Sequence, residues 1–400
     1  MYNMIKKIIF LGLVALITIG VQSKNPDAFL KENIANAVKQ NTLQTDIIEN
    51  SGKILNPRTI DKNGNIKYVK HKDWCSGFYP GIIWELYDLT GDQKWETLAR
   101  KYTEDLEEVQ YLTEHHDVGF MIGSSYLNGL LKAGIEKYKS VVIQTAKSLS
   151  TRFRPSAGVI QSWNIDKGWQ SKRGWKCPVI IDNMMNLELL FEATRLSGDS
   201  TFHNIAVKHA DTTLKNHFRP DASSYHVVDY DPETGEVRSR QTAQGYAHES
   251  AWARGQAWAL YGFTLCYRYT GDKKYLNQAV RIHDFIFNNK NLPKDLVPYW
   301  DYDAPNIPYE PRDASAAACV ASALYELSGY AHKKNYINQA DKILESLSSP
   351  AYRAETGTNG NFILMHSVGS IPHNQEIDVP LNYADYYYLE ALIRKRNLKK

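Results

Sequence analysis

The sequence predicts an all-α protein, a closed ring of six helical hairpins or (α/α)6 barrel, with one small β-hairpin inserted near the barrel mouth. Three observations predict it. A Gly-Asp motif recurs where apolar helical runs end, a Trp, Asp or Arg recurs at a near-constant distance before each such glycine, and one long polar stretch rich in Gly and Asp interrupts the helical pattern.

Taken in order, the chain opens with Lys6 and Lys7, an apolar run from Ile8 to Ile19, and then Val21 and Ser23 at the spacing a signal peptidase requires. This reads as a secretory signal over residues 1–23, because the run is short and no stop-transfer charges follow. The expectation is a periplasmic location, no membrane attachment after cleavage, and a single domain over 24–400. Loss of Lys6 and Lys7 takes the formal charge from +3 to 3 − 2 = +1. A near-neutral chain without a basic tract gives no reason to expect a nucleic-acid partner, so an anionic ligand must be met by a few placed cations.

The segments LYDLTGDQKWETLA, ATRLSGDSTFHNIA and CYRYTGDKKYLNQA place Gly91, Gly198 and Gly271 at the ends of apolar helices, each with an aromatic residue four positions on and an Ala eight positions on. Weaker copies surround Gly134 and Gly329. A glycine after a helix is the usual left-handed stop, and the aromatic and the Ala start an amphipathic helix running back. Five copies, with DYYYLEALIRK as a sixth inner helix, describe helical hairpins. The glycines are 43 to 73 residues apart, too irregular for an open solenoid of identical units, and a closed ring fits the count.

Counting back from each glycine gives Trp74, Asp117, Asp182, Arg254 and Asp313 at 16 or 17 residues. Each inner helix is therefore roughly 25 Å long and carries its distinctive residue at the same, N-terminal end. In a closed ring these side chains converge at one mouth, where helix N-termini favour anions. Helix capping accounts for aspartates at such positions. It does not account for Trp74 and Arg254 in phase with them.

Asp182 follows the buried-type run Pro178–Ile181, so it is either a cap or a carboxyl whose pKa is raised by an apolar setting. His115, His116 and Asp117 are consecutive, and adjacent histidines point in different directions; no metal and no cofactor is expected. Arg254 and Trp258 are four apart on one helical face, which either grips a carboxylate beside a sugar ring or packs an arginine on a core indole. The stretch from Asp221 to Trp258 alternates as a short hairpin turning at Pro232–Gly235, with His226 and Gln244 on its two arms. Trp163 and the 297–312 loop add aromatic walls. Nine Trp and 26 Tyr suit a sugar-binding cleft, although large helical cores also use aromatics. Cys266 and Cys319 lie in apolar helical patterns as buried thiols; Cys75 and Cys177 fall near matching ends of two inner helices, and whether they pair is open.

DWCSGFYPGIIWELYDLTGD, HHDVGF, IIDNMMNL, SSYH, RGQAWALYGF and ADYYYLEAL, in this order and spacing, resemble the unsaturated glucuronyl hydrolases of glycoside hydrolase family 88 from about Trp74 to Leu392. The resemblance implies an (α/α)6 barrel that removes a Δ4,5-unsaturated uronic acid from the non-reducing end of lyase-generated oligosaccharides. It implies Asp182 as general acid and base and Asp117 as the second essential carboxylate. It implies Trp74, His116, Trp163, His226, Gln244, Arg254 and Trp258 as substrate-contacting positions, with Arg254 or the helix N-termini facing the substrate carboxylate. The substrate partner is then an anionic unsaturated disaccharide of glycosaminoglycan type, and the enzyme a monomer or homodimer. Three alternatives stand beside this: an unsaturated rhamnogalacturonyl hydrolase of the same fold, an inverting glycosidase using Asp117 and Asp182 on saturated sugars, and a non-catalytic periplasmic glycan-binding toroid. The segment 362–378 contains no Lys or Arg, which argues against tight sulfate recognition there, although His366, Ser367 and Ser370 offer hydrogen bonds.

Overall fold

The computed structural model describes residues 26–331 and 334–398; the secretory signal read over 1–23 lies outside them. The inner wall is built from Phe78–Thr90, the segment Val118–Ala133, Ile181–Ser197, Ala253–Thr270, Ala314–Ala331 and Asn382–Asn397. Each packs on the next, and Asn382–Asn397 touches both Ala314–Ala331 and Phe78–Thr90, which closes the ring. Gln93–Glu104, Tyr138–Ser150, Ser200–Asn216, Lys273–Asn288 and Lys334–Leu347 run back outside, with Pro26–Asn50 as the sixth outer helix. The protein is thus an (α/α)6 barrel. Among the described residues no helix is long and apolar enough to cross a membrane.

The Gly-Asp motif has a two-part physical basis. Gly91, Gly198 and Gly271 adopt φ of 68°, 76° and 67° and donate their N–H to the carbonyls of Tyr87, Thr194 and Tyr267. The aspartates that follow then cap the outer helices, accepting from the amides of Lys94, Thr201 and Lys274 at 2.9, 2.9 and 3.0 Å. Gly134 makes the same left-handed stop without a following cap. Gly329 does not: its helix runs on to Ala331, since the three residues inserted after this copy remove the need to reverse at the glycine. Gly271→Ala and Asp272→Ala are each expected to cost about 1 kcal/mol, the first through left-handed backbone alone because its Cβ meets open space. Urea unfolding should resolve both, with activity unchanged.

Two inner helices are irregular, one midway along its length and one at its start. Val118–Ala133 is broken by a π-helical turn at Gly123–Leu127, and Leu187–Ser197 is preceded by a 3-10 turn, Ile181–Asn186. The expected hairpin is present as Val227–Tyr230 paired with Val237–Gln241. Cys177–Ile180, most of the buried-type run that leads into Asp182, is a third antiparallel strand of that sheet. A run of four buried residues fits a covered strand as well as a helix, and pairing in the sheet decided between them. All four cysteines are buried free thiols, so Cys75 and Cys177 do not pair.

Candidate active site

The strand pairing explains how Asp182 is held. Ile180 lies opposite Val227, and the Ile181 amide donates to the His226 carbonyl at 3.0 Å, so Asp182 emerges beside His226 at the barrel mouth. Neither Asp182 nor Asp117 caps its helix through its side chain. The Asp182 carboxyl is buried, its Oδ2 has no hydrogen-bond partner, and its pKa is raised to about 7. Burial is the main cause and the Asp117 charge adds to it, while Arg254 and the Trp258 indole oppose the rise.

Asp117 titrates the other way. Burial alone would raise it, but His116 and His115 outweigh that, and its pKa lies below the ordinary carboxylate value. His116 Nε2 is 3.2 Å from Oδ1 and His115 Nδ1 is 3.1 Å from Oδ2. His116 is wholly buried, which pushes its own pKa down, so near neutrality it meets Asp117 as an uncharged imidazole. The two carboxyls are therefore pushed apart in pKa, Asp117 downward and Asp182 up to about 7, the separation an acid–base pair requires. Among the described residues no group of three or more His, Cys, Asp or Glu is arranged to hold a metal.

His226 is fixed as one tautomer. Its Nδ1 accepts from the amides of Ala243 at 3.0 Å and Gln244 at 3.1 Å, which leaves the proton on Nε2. That Nε2 lies 3.7 Å from Asp182 Oδ2, and neither atom has another partner. Burial holds His226 well below its ordinary pKa, so it is a neutral donor. One donor and one acid oxygen thus face each other, each without a hydrogen-bond partner.

Arg254 is deployed differently from the sequence expectation. The indole it stacks on is Trp252, at 4.4 Å, rather than Trp258 one helical turn along. Its guanidinium pairs with Asp313 at 3.1 Å and donates to the carbonyls of Val368 and Gly369. Three bonds are thereby committed to the Ser367–Val379 hairpin and to a counter-ion, leaving the charge to act on Asp182 through space. Asp313 itself is a true cap, accepting from the Ser315 amide at 3.0 Å. Trp258 sits in the floor beneath Asp182, packed on Phe120 and Tyr387 at 5.3 Å each.

A cavity of ≈ 230 Å³ brings together Trp74, Asp117, Trp163, Asp182, Gln244 and Arg254. His116, His226 and Trp258 sit behind that lining, touching its carboxyls. The 297–312 loop does not contribute the expected wall: Trp300 and Tyr302 are buried in the core and Tyr309 is 89% exposed. Other residues, unforeseen from sequence, do line the cavity: Arg58, Trp169, Gln170, His373, Glu376 and Tyr383. Tyr383 holds on the sixth inner helix the place Trp74 and Asp117 hold on theirs, but no glycine stop follows from which to count back. Arg58 joins two carboxylates, Glu376 through Nε at 2.5 Å and Asp73 through Nη1 at 2.9 Å, and so ties the Ser367–Val379 hairpin to the Trp74 segment. A second cavity further along the barrel is lined by Glu188, Arg268, Glu390 and Arg394 and by none of the expected site residues. Its acids and bases are paired with one another, as in Arg268–Glu188 at 3.0 Å.

A six-hairpin barrel with a protonated and an ionised carboxyl in one aromatic-walled cavity has the parts of a glycoside hydrolase. The profile described as Glycosyl Hydrolase Family 88 matches residues 50–395, and the chain belongs to that family. It is 45% identical over 401 residues to the unsaturated glucuronyl hydrolase of Formosa agariphila, covering 98% of this chain and 99% of the relative. It is 32% identical over 389 residues to the unsaturated chondroitin disaccharide hydrolase of Streptococcus agalactiae, covering 93% and 95%. A crystal structure of an unsaturated glucuronyl hydrolase specific for heparin matches with a TM-score of 0.88 at 44% identity, over 93% of this chain and 98% of that one. An aspartate-to-asparagine variant of the Streptococcus agalactiae enzyme, complexed with dGlcA-GalNAc6S, matches with a TM-score of 0.76 at 28% identity, over 92% of each chain. The protein is a hydrolase of this class.

Proposed function

We propose that the enzyme removes the Δ4,5-unsaturated uronic acid from the non-reducing end of lyase-generated, glycosaminoglycan-type disaccharides. The observation that carries this reading is Asp182, a buried carboxyl at the cavity wall whose pKa is raised to about 7, so that it still binds a proton near neutral pH, and whose Oδ2 faces the Nε2–H of His226 behind the lining. The names of the relatives point the same way. The substrate is a vinyl ether conjugated to a carboxylate, and its cleavage begins by protonating C4, which Asp182 is poised to do. The resulting carboxylate takes a proton from the water that adds at C5. The hemiketal so formed opens and expels the remaining sugar.

In this reading the neutral His226, behind the lining, presents its Nε2–H to the Asp182 carboxyl and orients it toward the substrate. Ionised Asp117 accepts from substrate hydroxyls and helps to keep Asp182 protonated. Trp74 and Trp163 supply walls and Gln244 a polar contact. The N-terminal pattern at Lys6 to Ser23 supports export to the periplasm.

The test is loss of the ultraviolet absorbance of the conjugated uronate when the protein meets unsaturated chondroitin and heparin disaccharides. Steady loss is expected, with saturated counterparts left intact. No loss on any unsaturated glucuronyl substrate would sink the reading, and turnover of saturated sugars would replace it with ordinary inverting hydrolysis.

A further inference from the structure

Two asparagines follow Asp182 in the run IIDNMMNL, and both are wholly buried behind the cavity lining. Asn186 is oriented by the backbone. Its Oδ1 accepts from the Phe120 amide at 2.9 Å, so the group it turns to His116 Nδ1, 3.4 Å away, is its NH2. Nδ1 is then the acceptor, and the neutral ring carries its proton on Nε2. That Nε2 lies 3.2 Å from Asp117 Oδ1. Asn183 donates through Nδ2 to the Ile160 carbonyl at 2.7 Å and so turns its oxygen, an acceptor, to the same imidazole. Gly119 lets the two segments close this far, since a Cβ there would stand 2.7 Å from the Asn186 Cα.

His115 cannot take the same part while neutral. Its Nδ1 accepts from the Asp117 amide at 3.3 Å, so the 3.1 Å approach of that nitrogen to Oδ2 brings no proton. From other elements, Arg152, just past Tyr138–Ser150, and Asp182 face Asp117. Arg152 is committed to the carbonyls of Gln161 and Thr113 and to Asn164 Oδ1, and acts on Asp117 through space. Arg152 and His115 also face His116, and both oppose a second proton on its ring. Of the two imidazoles, His116 is thus the one that brings an N–H to the carboxylate near neutrality.

We propose that Asn186 is a positioning residue: it holds His116 in the Nε2–H tautomer, so that the ring presents an N–H and not a lone pair to Asp117 Oδ1. This deepens the proposed function, on which its effect on turnover rests. Without the Asn186 NH2, the ring is free to carry its proton on Nδ1 and to turn a lone pair toward Oδ1, which penalises the ionised carboxylate.

The experiment has a spectroscopic and a kinetic arm. NMR of the ring nitrogens of isotopically labelled histidine, with the His116 signals assigned by their absence from His116→Gln, should show Nε2 protonated and Nδ1 bare in wild type. In Asn186→Ala the same signals should report a mixture of tautomers. The acid-side fall of kcat/KM on an unsaturated disaccharide, set by Asp117, should lie about one pH unit higher in Asn186→Ala than in wild type. The alkaline-side fall, set by Asp182, should stay in place. His116→Gln puts an amide NH2 where Nε2 stood and has no tautomer to fix, so adding Asn186→Ala to it should leave the acid side unmoved. Should Asn186→Ala fail to fold, Asn186→Leu, which fills the same volume without the NH2, replaces it in both arms. A wild-type proton on Nδ1, an acid side that does not move, or a loss equal at every pH, as damage to the fold alone would give, overturns the proposal. Should wild type act on no unsaturated substrate, the functional reading fails by itself. The spectroscopic arm needs no turnover, and the tautomers of wild type and variant then decide the role of Asn186.

Discussion

Asp182→Asn is expected to lower kcat by about 10³-fold or more while leaving the fold and disaccharide binding intact, since an amide keeps the shape of the carboxyl but cannot deliver its proton. That loss corresponds to about 4 kcal/mol of transition-state stabilisation. The wild-type pH profile should show the same group. Asp182 must be protonated to act, and its pKa is raised to about 7, so kcat/KM should hold below that value and fall as pH rises through it. Asp117→Asn removes the charge that helps to keep Asp182 protonated, so the falling limb of its residual activity should move to lower pH. Circular dichroism and the absorbance assay check all three statements. An Asp182→Asn enzyme retaining more than a tenth of wild-type activity would remove this residue from the chemistry.

Arg254→Leu should be the most damaging substitution to the fold, with a loss of about 3–5 kcal/mol, because the buried Asp313 carboxylate loses its cation and the Val368 and Gly369 carbonyls lose their donor. Removing Arg254 and Asp313 together should cost less than Arg254→Leu alone, since no unpaired charge is then left buried. In whatever Arg254→Lys protein folds, the pH limb reports charge: lysine retains it and should leave the limb near its wild-type position. In Arg254→Leu the limb should shift upward, as loss of the neighbouring cation makes Asp182 harder to ionise. Urea unfolding of the variants and of the double substitution measures the first effect, and residual kcat/KM against pH the second. Wild-type stability in Arg254→Leu would show that the pair with Asp313 contributes nothing net.

The residues that identify the site were legible because a barrel of repeated hairpins turns sequence phase into spatial position. Trp74, Asp117, Asp182 and Arg254 lie at matching distances before glycines that stop helices, and in the ring they line one cavity. Asp313 shares the phase but serves as a cap and counter-ion, since its carboxylate already accepts from Ser315 and Arg254. Phase gives a side chain its end of the barrel, whereas its direction is set by the partners it finds there.

The groups that escaped the sequence belong to segments with no repeat. Trp169 sits in a loop and His373 in a distant hairpin; only the fold sets their rings 4.9 Å apart. Arg58 lies before the first repeat unit, and its bond to Glu376 spans 318 residues. Conversely, the 297–312 loop has the composition of an aromatic wall yet packs Trp300 and Tyr302 into the core. Composition records that a segment has apolar surface to bury, and not which side of the chain buries it.

By itself, then, the sequence determined the six-hairpin ring, the hairpin at 227–241 and the end of the barrel at which the carboxyls gather, because helix stops, caps and periodicity are local interactions written in neighbouring residues. The tertiary structure alone decided that Asp182 keeps its proton while Asp117 gives its proton up. Both are aspartates at the starts of inner helices. One is buried with a free oxygen facing a neutral imidazole, the other is flanked by two imidazoles, and a carboxyl's pKa is set by what surrounds it in space.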